Sequence, residues 1–252
     1  PMLALLASPE ARVLDFSFLF VPSWEEETYL PDPSANNIMV FLTEWDLVDS
    51  ARWGINTHAL RGSSSTYRSY EVAGAPHVPD IPWVREICLE AYGITSEGTT
   101  PLDWSPVARA LFLAGHRWTQ WGIQPPPSAY LADAPEGQID PVYGIETGVA
   151  RDGNLNALGG IRLPDLEIGR GQYIALDPES FFGYGLFGAW EDLQCEPLPD
   201  GSTRFRNHGT YVSQFTHQAQ SLVKDGYLLP GEAHRMISEA ARSEVGKPKT
   251  CH

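Results

Sequence analysis

Two largely apolar runs, Asp15 to Val21 (DFSFLFV) and Ile38 to Leu42 (IMVFL), constrain the fold of this chain most tightly. Both are rich in strand-forming residues, the pattern of strands covered on both faces in a parallel sheet. Thr66 to Val72 (TYRSYEV) predicts a third strand, less buried than the other two. From about residue 82 onward the chain reads as helices and ordered loops. Asp103 to Trp121 places Val107, Leu111, Ala114, Trp118 and Trp121 at helical spacing, with Pro106 suited to a first turn and Gly122 to a C-terminal cap. Tyr211 to Lys224 and Pro230 to Arg242 each carry an apolar face around the turn KDGYLLPG, which predicts two short amphipathic helices. The expected organisation is a single α/β domain. Sheet strands occupy residues 1–80, a helical and loop-rich cap or insert occupies 81–210, and C-terminal helices occupy 211–245.

With 252 residues, 42% of them hydrophobic, the chain can bury a sizeable core. Its 32 acidic against 17 Lys and Arg residues give a formal charge of -15, which repels phosphate backbones and anionic lipid surfaces, so neither nucleic acid nor a membrane is an expected partner. No apolar run approaches the ~20 residues of a membrane span; a soluble chain, cytoplasmic or secreted, is expected. Cys88, Cys195 and Cys251 are widely spaced, with no CxxC pair and no Cys/His cluster at zinc spacing. One disulfide is open to them, and neither a metal site nor an organic cofactor is expected.

The second apolar run passes directly into Thr43-Glu44-Trp45-Asp46, so two carboxylates sit just beyond the carboxyl end of a buried strand. Open parallel α/β sheets gather ligands and catalytic groups at that edge. The third strand ends in the Gly/Pro loop Ala73-Gly-Ala-Pro-His77, which brings His77 to the same edge if the two strands are adjacent and parallel. An acid after one strand and a histidine after the next is the arrangement that fixes an imidazole tautomer and stabilises its protonated form. Either Asp46 or Glu44 can supply that acid.

This succession of strand, acid, strand and histidine resembles the last two strands of an α/β-hydrolase, whose nucleophile, acid and histidine follow in that order along the chain. TEWDLVDSARW followed by YRSYEVAGAPH is similar to the alpha/beta hydrolase domain proteins. So are RWTQWGIQPPPSAYL, DGNLNALGGIRLPDLEIGRGQY and YVSQFTHQAQSLVKDGYLLPGEAHRMISEAA, in that order over nearly the whole chain. The resemblance implies the C-terminal part of an α/β-hydrolase fold, with a mainly parallel sheet, His77 as base and Asp46, ahead of Glu44, as the acid.

The nucleophile elbow of that family, a GxSxG-like strand-to-helix turn, is missing from the residues that precede the acid. RGSSST, between acid and histidine, lacks the second glycine of an elbow and reads as a polar turn. A sheet of few strands also leaves an edge that invites another chain. The chain is therefore expected to be a subunit or processed fragment of a serine-type hydrolase acting on a small ester or related acyl substrate, with a companion polypeptide supplying the N-terminal strands and the serine. Two rivals remain: a noncatalytic binding or scaffold subunit, and an enzyme of the same fold doing lyase, cyclase or acyl-transfer chemistry.

Other polar features are weaker. Arg162, in the GGIR segment, either clamps a substrate carboxylate or pins a loop through an acidic neighbour. Phe181 and Trp190 bound the Gly-interleaved stretch FFGYGLFGAW, which reads as a lid or pocket wall for an apolar substrate, or as core. Asp49 reads as a helix cap, and His116, His208, His217 and His234 share no spacing that suggests chemistry.

Overall fold

The computed structural model describes residues 16–20, 37–83, 86–87, 90, 98–177 and 184–247. Strands β1 (Phe16–Phe20), β2 (Asn37–Thr43) and β3 (Tyr67–Val72) form a parallel sheet in that order. In the register of this sheet Phe20 stands beside Phe41, and Thr43 beside Val72. Strands β2 and β3 thus finish level, and the segments that follow them leave from one sheet edge. Every residue from Ile38 to Leu42 is buried, as a strand covered on both faces must be. Each such side chain contributes roughly 1.5–3 kcal/mol relative to exposure.

β3 is more buried than its sequence suggests. Irregular chain runs along its outer edge: Glu71 N–H donates to the Ala129 carbonyl at 2.9 Å, and Ile161 N–H donates to the Glu71 carbonyl at 2.8 Å. Gly160 permits this approach, because at φ +62° a Cβ there would lie 2.7 Å from the Glu71 carbonyl oxygen. The Glu71 side chain, also buried, is held by Arg61 through contacts of 2.7 and 2.9 Å and by Leu131 N–H at 2.8 Å. Among the described residues, β1 pairs only with β2.

Helix α1 (Glu44–Arg52) follows β2 without a loop, and α2 (Ser105–Trp121) packs on β1 and β2. Pro106 lies in its first turn and Gly122, at φ 67°, closes it. Val107, Leu111 and Trp118 face the core, where the Trp104 ring sits 5.2 Å from Phe41. The one-turn helix α3 (Pro164–Glu167) precedes an antiparallel ribbon of β4 (Gly171–Ile174) and β5 (Ala189–Asp192), and a second, α4 (Tyr184–Phe187), lies in the connection between its strands. This ribbon was not anticipated, since two strands of four residues carry too little pattern to show in sequence. Helices α5 (His208–Asp225) and α6 (Pro230–Arg242) pack on each other across a left-handed turn at Gly226. Among the described residues no helix is long and apolar enough to cross a membrane. Cys195 is disulfide-bonded; Cys88 and Cys251 lie outside the described residues.

Candidate active site

Thr43 ends β2 and caps α1 with extended backbone, which sets Asp46 at the third helical position. The Asp46 Oδ2 accepts from the Thr43 backbone N–H at 2.7 Å and from its hydroxyl at 2.9 Å. The helix N-terminus also favours the negative charge. Its other oxygen, Oδ1, lies 3.3 Å from Nδ1 of His77. Asp46 is almost wholly enclosed, at 3% exposure of its side chain, whereas the His77 side chain is 33% exposed. Among the described residues Asp46 is the sole hydrogen-bond partner of the imidazole. When Nδ1–H donates to Asp46, Nε2 presents a lone pair that can accept a proton.

The loop carrying His77 is fixed residue by residue. Gly74 has φ +67°, and a Cβ there would lie 2.3 Å from Leu166 Cδ1 and 2.9 Å from Tyr173 Cβ. Its N–H donates to Glu44 Oε2 at 2.7 Å. The Ala75 carbonyl accepts from Trp45 N–H at 3.1 Å, and the Pro76 carbonyl accepts from Trp104 Nε1 at 2.8 Å. Trp45 leans over the imidazole, with ring centroids 4.5 Å apart, and donates Nε1–H to the Gly185 carbonyl of α4 at 2.6 Å. Val78 N–H donates to the Leu186 carbonyl of the same short helix at 2.9 Å.

Residues two apart on a helix point to different sides, so the two carboxylates of the first turn separate. Glu44 is fully buried and forms a network of its own. Its Oε1 meets Arg151 at 2.5 Å, and Asp140 meets the same guanidinium at 2.7 Å. Burial opposes the Arg151 charge, but the Glu44 and Asp140 carboxylates outweigh it and hold the guanidinium more firmly protonated than usual. The Tyr143 hydroxyl lies 3.4 Å from Glu44, and burial together with the Glu44 charge pushes its ionisation well up. Glu44 therefore ties the His77 loop to a buried ion pair, while Asp46 faces His77 itself.

The remaining candidates fall elsewhere. Arg162 is held by Asp152 at 2.8 Å, by Glu167 at 2.5 Å and by the Ala157 carbonyl, and so pins the loop between residues 152 and 167. The Trp190 ring packs on Tyr173 and carries the Arg170 guanidinium over its face at 5.3 Å; none of its ring contacts is with His77. Phe181 lies outside the described residues. Asp49 is not a cap, since Thr43 occupies that position and Asp49 stands inside α1. Burial raises its carboxyl above the usual range, and the nearby Asp46 charge adds to the rise. The RGSSST stretch is a polar loop, exposed at Ser63, Ser64 and Ser65, whose Gly62 and Ser64 bond locally to β3. Sequence reasoning did not single out Trp45, Arg151, Asp140 or Trp104. Only Trp45, beside the two acids, carried a positional signal.

Among the described residues no three His, Cys, Asp or Glu side chains converge as a metal site requires. The sequence model of a family described as "Alpha/beta hydrolase domain" matches residues 19–238. No curated protein and no solved structure matches the chain.

Proposed function

The chain belongs to the alpha/beta hydrolase domain family, and from that premise we propose that His77 is the general base of a serine-type hydrolase, oriented by Asp46. The observation that carries this reading is the Asp46–His77 pair at the level ends of two adjacent parallel strands. Asp46 would hold the Nδ1–H tautomer and stabilise the imidazolium. Nε2 would take the proton of an attacking serine hydroxyl and return it to the leaving alcohol of an ester. The contact of 3.3 Å lies at the long end of the hydrogen-bond range.

No serine, threonine or cysteine among the described residues makes a hydrogen bond to the imidazole, so the serine is assigned to a segment outside these residues. A companion polypeptide would bring it, together with strands that continue the sheet beyond β1, whose outer edge has no partner among the described residues. The same segment would provide the oxyanion-binding N–H groups.

The acyl group is proposed to be apolar. An open groove of about 570 Å³ begins at Pro79, two residues beyond His77, and runs past Trp104, Ala108 and Phe112 along α2. Trp104 is the residue that bonds to Pro76, next to the histidine. The disulfide at Cys195 favours an oxidising compartment. The test is turnover of p-nitrophenyl esters of rising chain length by the natively assembled protein. Turnover that survives His77→Ala would sink the assignment, and a preference for acetate over longer acyl groups would sink the groove.

A further inference from the structure

Three consecutive residues on the first turn of α1 hold three positions of the His77 loop. Glu44 accepts the Gly74 N–H at 2.7 Å, the Trp45 backbone N–H donates to the Ala75 carbonyl at 3.1 Å, and Asp46 faces His77 Nδ1 at 3.3 Å. The Trp45 side chain adds a contact to the imidazole itself, with ring centroids 4.5 Å apart and the planes tilted by 48°. With its one hydrogen bond among the described residues, to Asp46, and a third of its side chain exposed, the His77 ring is fixed at Nδ1 and free to tilt about that point. The indole stacked on it removes that freedom.

The indole is itself held from several sides. An indole has a single donor, and that of Trp45, Nε1–H, meets the Gly185 carbonyl at 2.6 Å. Helix α4 is one turn long, so its last carbonyls lack partners within the helix. Those of Gly185, Leu186 and Phe187 accept instead from Trp45 Nε1–H, from Val78 N–H at 2.9 Å and from Thr100 N–H at 3.3 Å. The Trp45 side chain also packs, partly buried, against Val48, Tyr143 and Leu176. A ring tied to α1 by its backbone, to α4 by its donor and to an apolar cluster by its surface keeps one orientation. An aromatic ring within about 6 Å attracts a cation over its face, and more strongly when water is partly excluded.

We propose that Trp45 is a positioning residue of the ester site: its indole fixes the tilt of the His77 ring and favours the imidazolium formed when Nε2 takes the serine proton, while the bond from Nε1–H to Gly185 keeps the indole in place. The role rests on the reading of His77 as general base. Trp45 neither gives nor takes a proton, so it acts on the reaction through His77 alone.

Site-specific replacement of Trp45 by increasingly fluorinated tryptophans tests this in the assembled protein turning over a p-nitrophenyl ester. Fluorine drains negative charge from the indole face while keeping its shape and its N–H. The value of kcat should fall stepwise, by about tenfold across the series, with KM and Tm nearly unchanged. Trp45→Phe keeps an aromatic face and loses the donor, so it should retain more kcat per folded molecule than Trp45→Leu, which loses both; the fluorinated series decides the matter even if Trp45→Leu fails to fold. A kcat that stays flat or rises with fluorination would overturn the role, as would a folded Trp45→Leu that matches Trp45→Phe, and either result would leave His77 as the base. Turnover that survives His77→Ala would instead remove the base, and this role with it.

Discussion

Glu44 and Asp46 stand two residues apart on the first turn of α1 and serve different partners: Asp46 meets His77 Nδ1 at 3.3 Å, whereas Glu44 meets Arg151 at 2.5 Å and the N–H of Gly74 at 2.7 Å. Asp46→Asn should therefore act on turnover. Asparagine keeps an oxygen for Thr43 but loses the charge that orients and stabilises the imidazolium, so kcat should fall by about 10²–10⁴-fold with little change in Tm. Steady-state kinetics and a melting curve on the assembled protein check both halves.

Glu44→Gln should act on stability instead. The substitution removes one of the two carboxylates around a buried guanidinium, which costs on the order of 3 kcal/mol. Gln retains an acceptor for Gly74, so kcat per folded molecule should stay within a few-fold of the parent. Urea unfolding measures the loss. A collapse of kcat with unchanged stability would give Glu44 the role assigned to Asp46.

Gly74→Ala should disturb both. The left-handed backbone costs an alanine about 1–2 kcal/mol, and its Cβ would overlap Leu166 at 2.3 Å and Tyr173 at 2.9 Å. Relief of that overlap moves the loop that ends in His77, so Tm and kcat should fall together. Leu166→Ala in the same chain should recover only part of the Tm, because the Tyr173 contact and the backbone strain remain.

Asp103 gives a pH signature. Burial raises its carboxyl above the usual 3.8, and its hydrogen bonds from Ser105 only partly offset this. The folded state therefore holds this proton more tightly than the unfolded chain does. The stability so gained is present below the unfolded value and is lost as pH rises through the raised folded one. Asp103→Asn should stabilise the protein at neutral pH and give no gain at the acid end of that window. Equal effects at both ends, read from Tm against pH, would mean that Asp103 carries no burial penalty.

Much of the sheet was legible in sequence because Ile38 to Leu42 must be covered on both faces, and because Thr43 and the AGAPH loop bracket strands whose ends carry the chemistry. Helices α2, α5 and α6 were legible from apolar spacing and from Pro106, Gly122 and Gly226. The burial of β3 was hidden, since its outer edge is covered by residues 129 and 161, a long way off in sequence. The choice between Asp46 and Glu44 was hidden for a similar reason. Local sequence shows two acids on one turn, whereas the partners that separate them, Arg151 and Asp140, come from an irregular segment about a hundred residues downstream with no period to betray it. Arg162 carried two readings in sequence, a carboxylate clamp and a loop pin, and Asp152 and Glu167 hold it in the structure; Trp190 bounded a stretch that reads as pocket wall or as core, and its ring packs on Tyr173 and Arg170.

The central claim is that Asp46 and His77 activate a serine lying outside these 252 residues. Fluorophosphonate labelling of the natively purified protein, followed by intact mass analysis of every polypeptide present, tests it most directly. The account predicts one label per assembled site, carried by a companion segment and lost in His77→Ala; no label on any polypeptide, or a label on a serine of this chain, would contradict it.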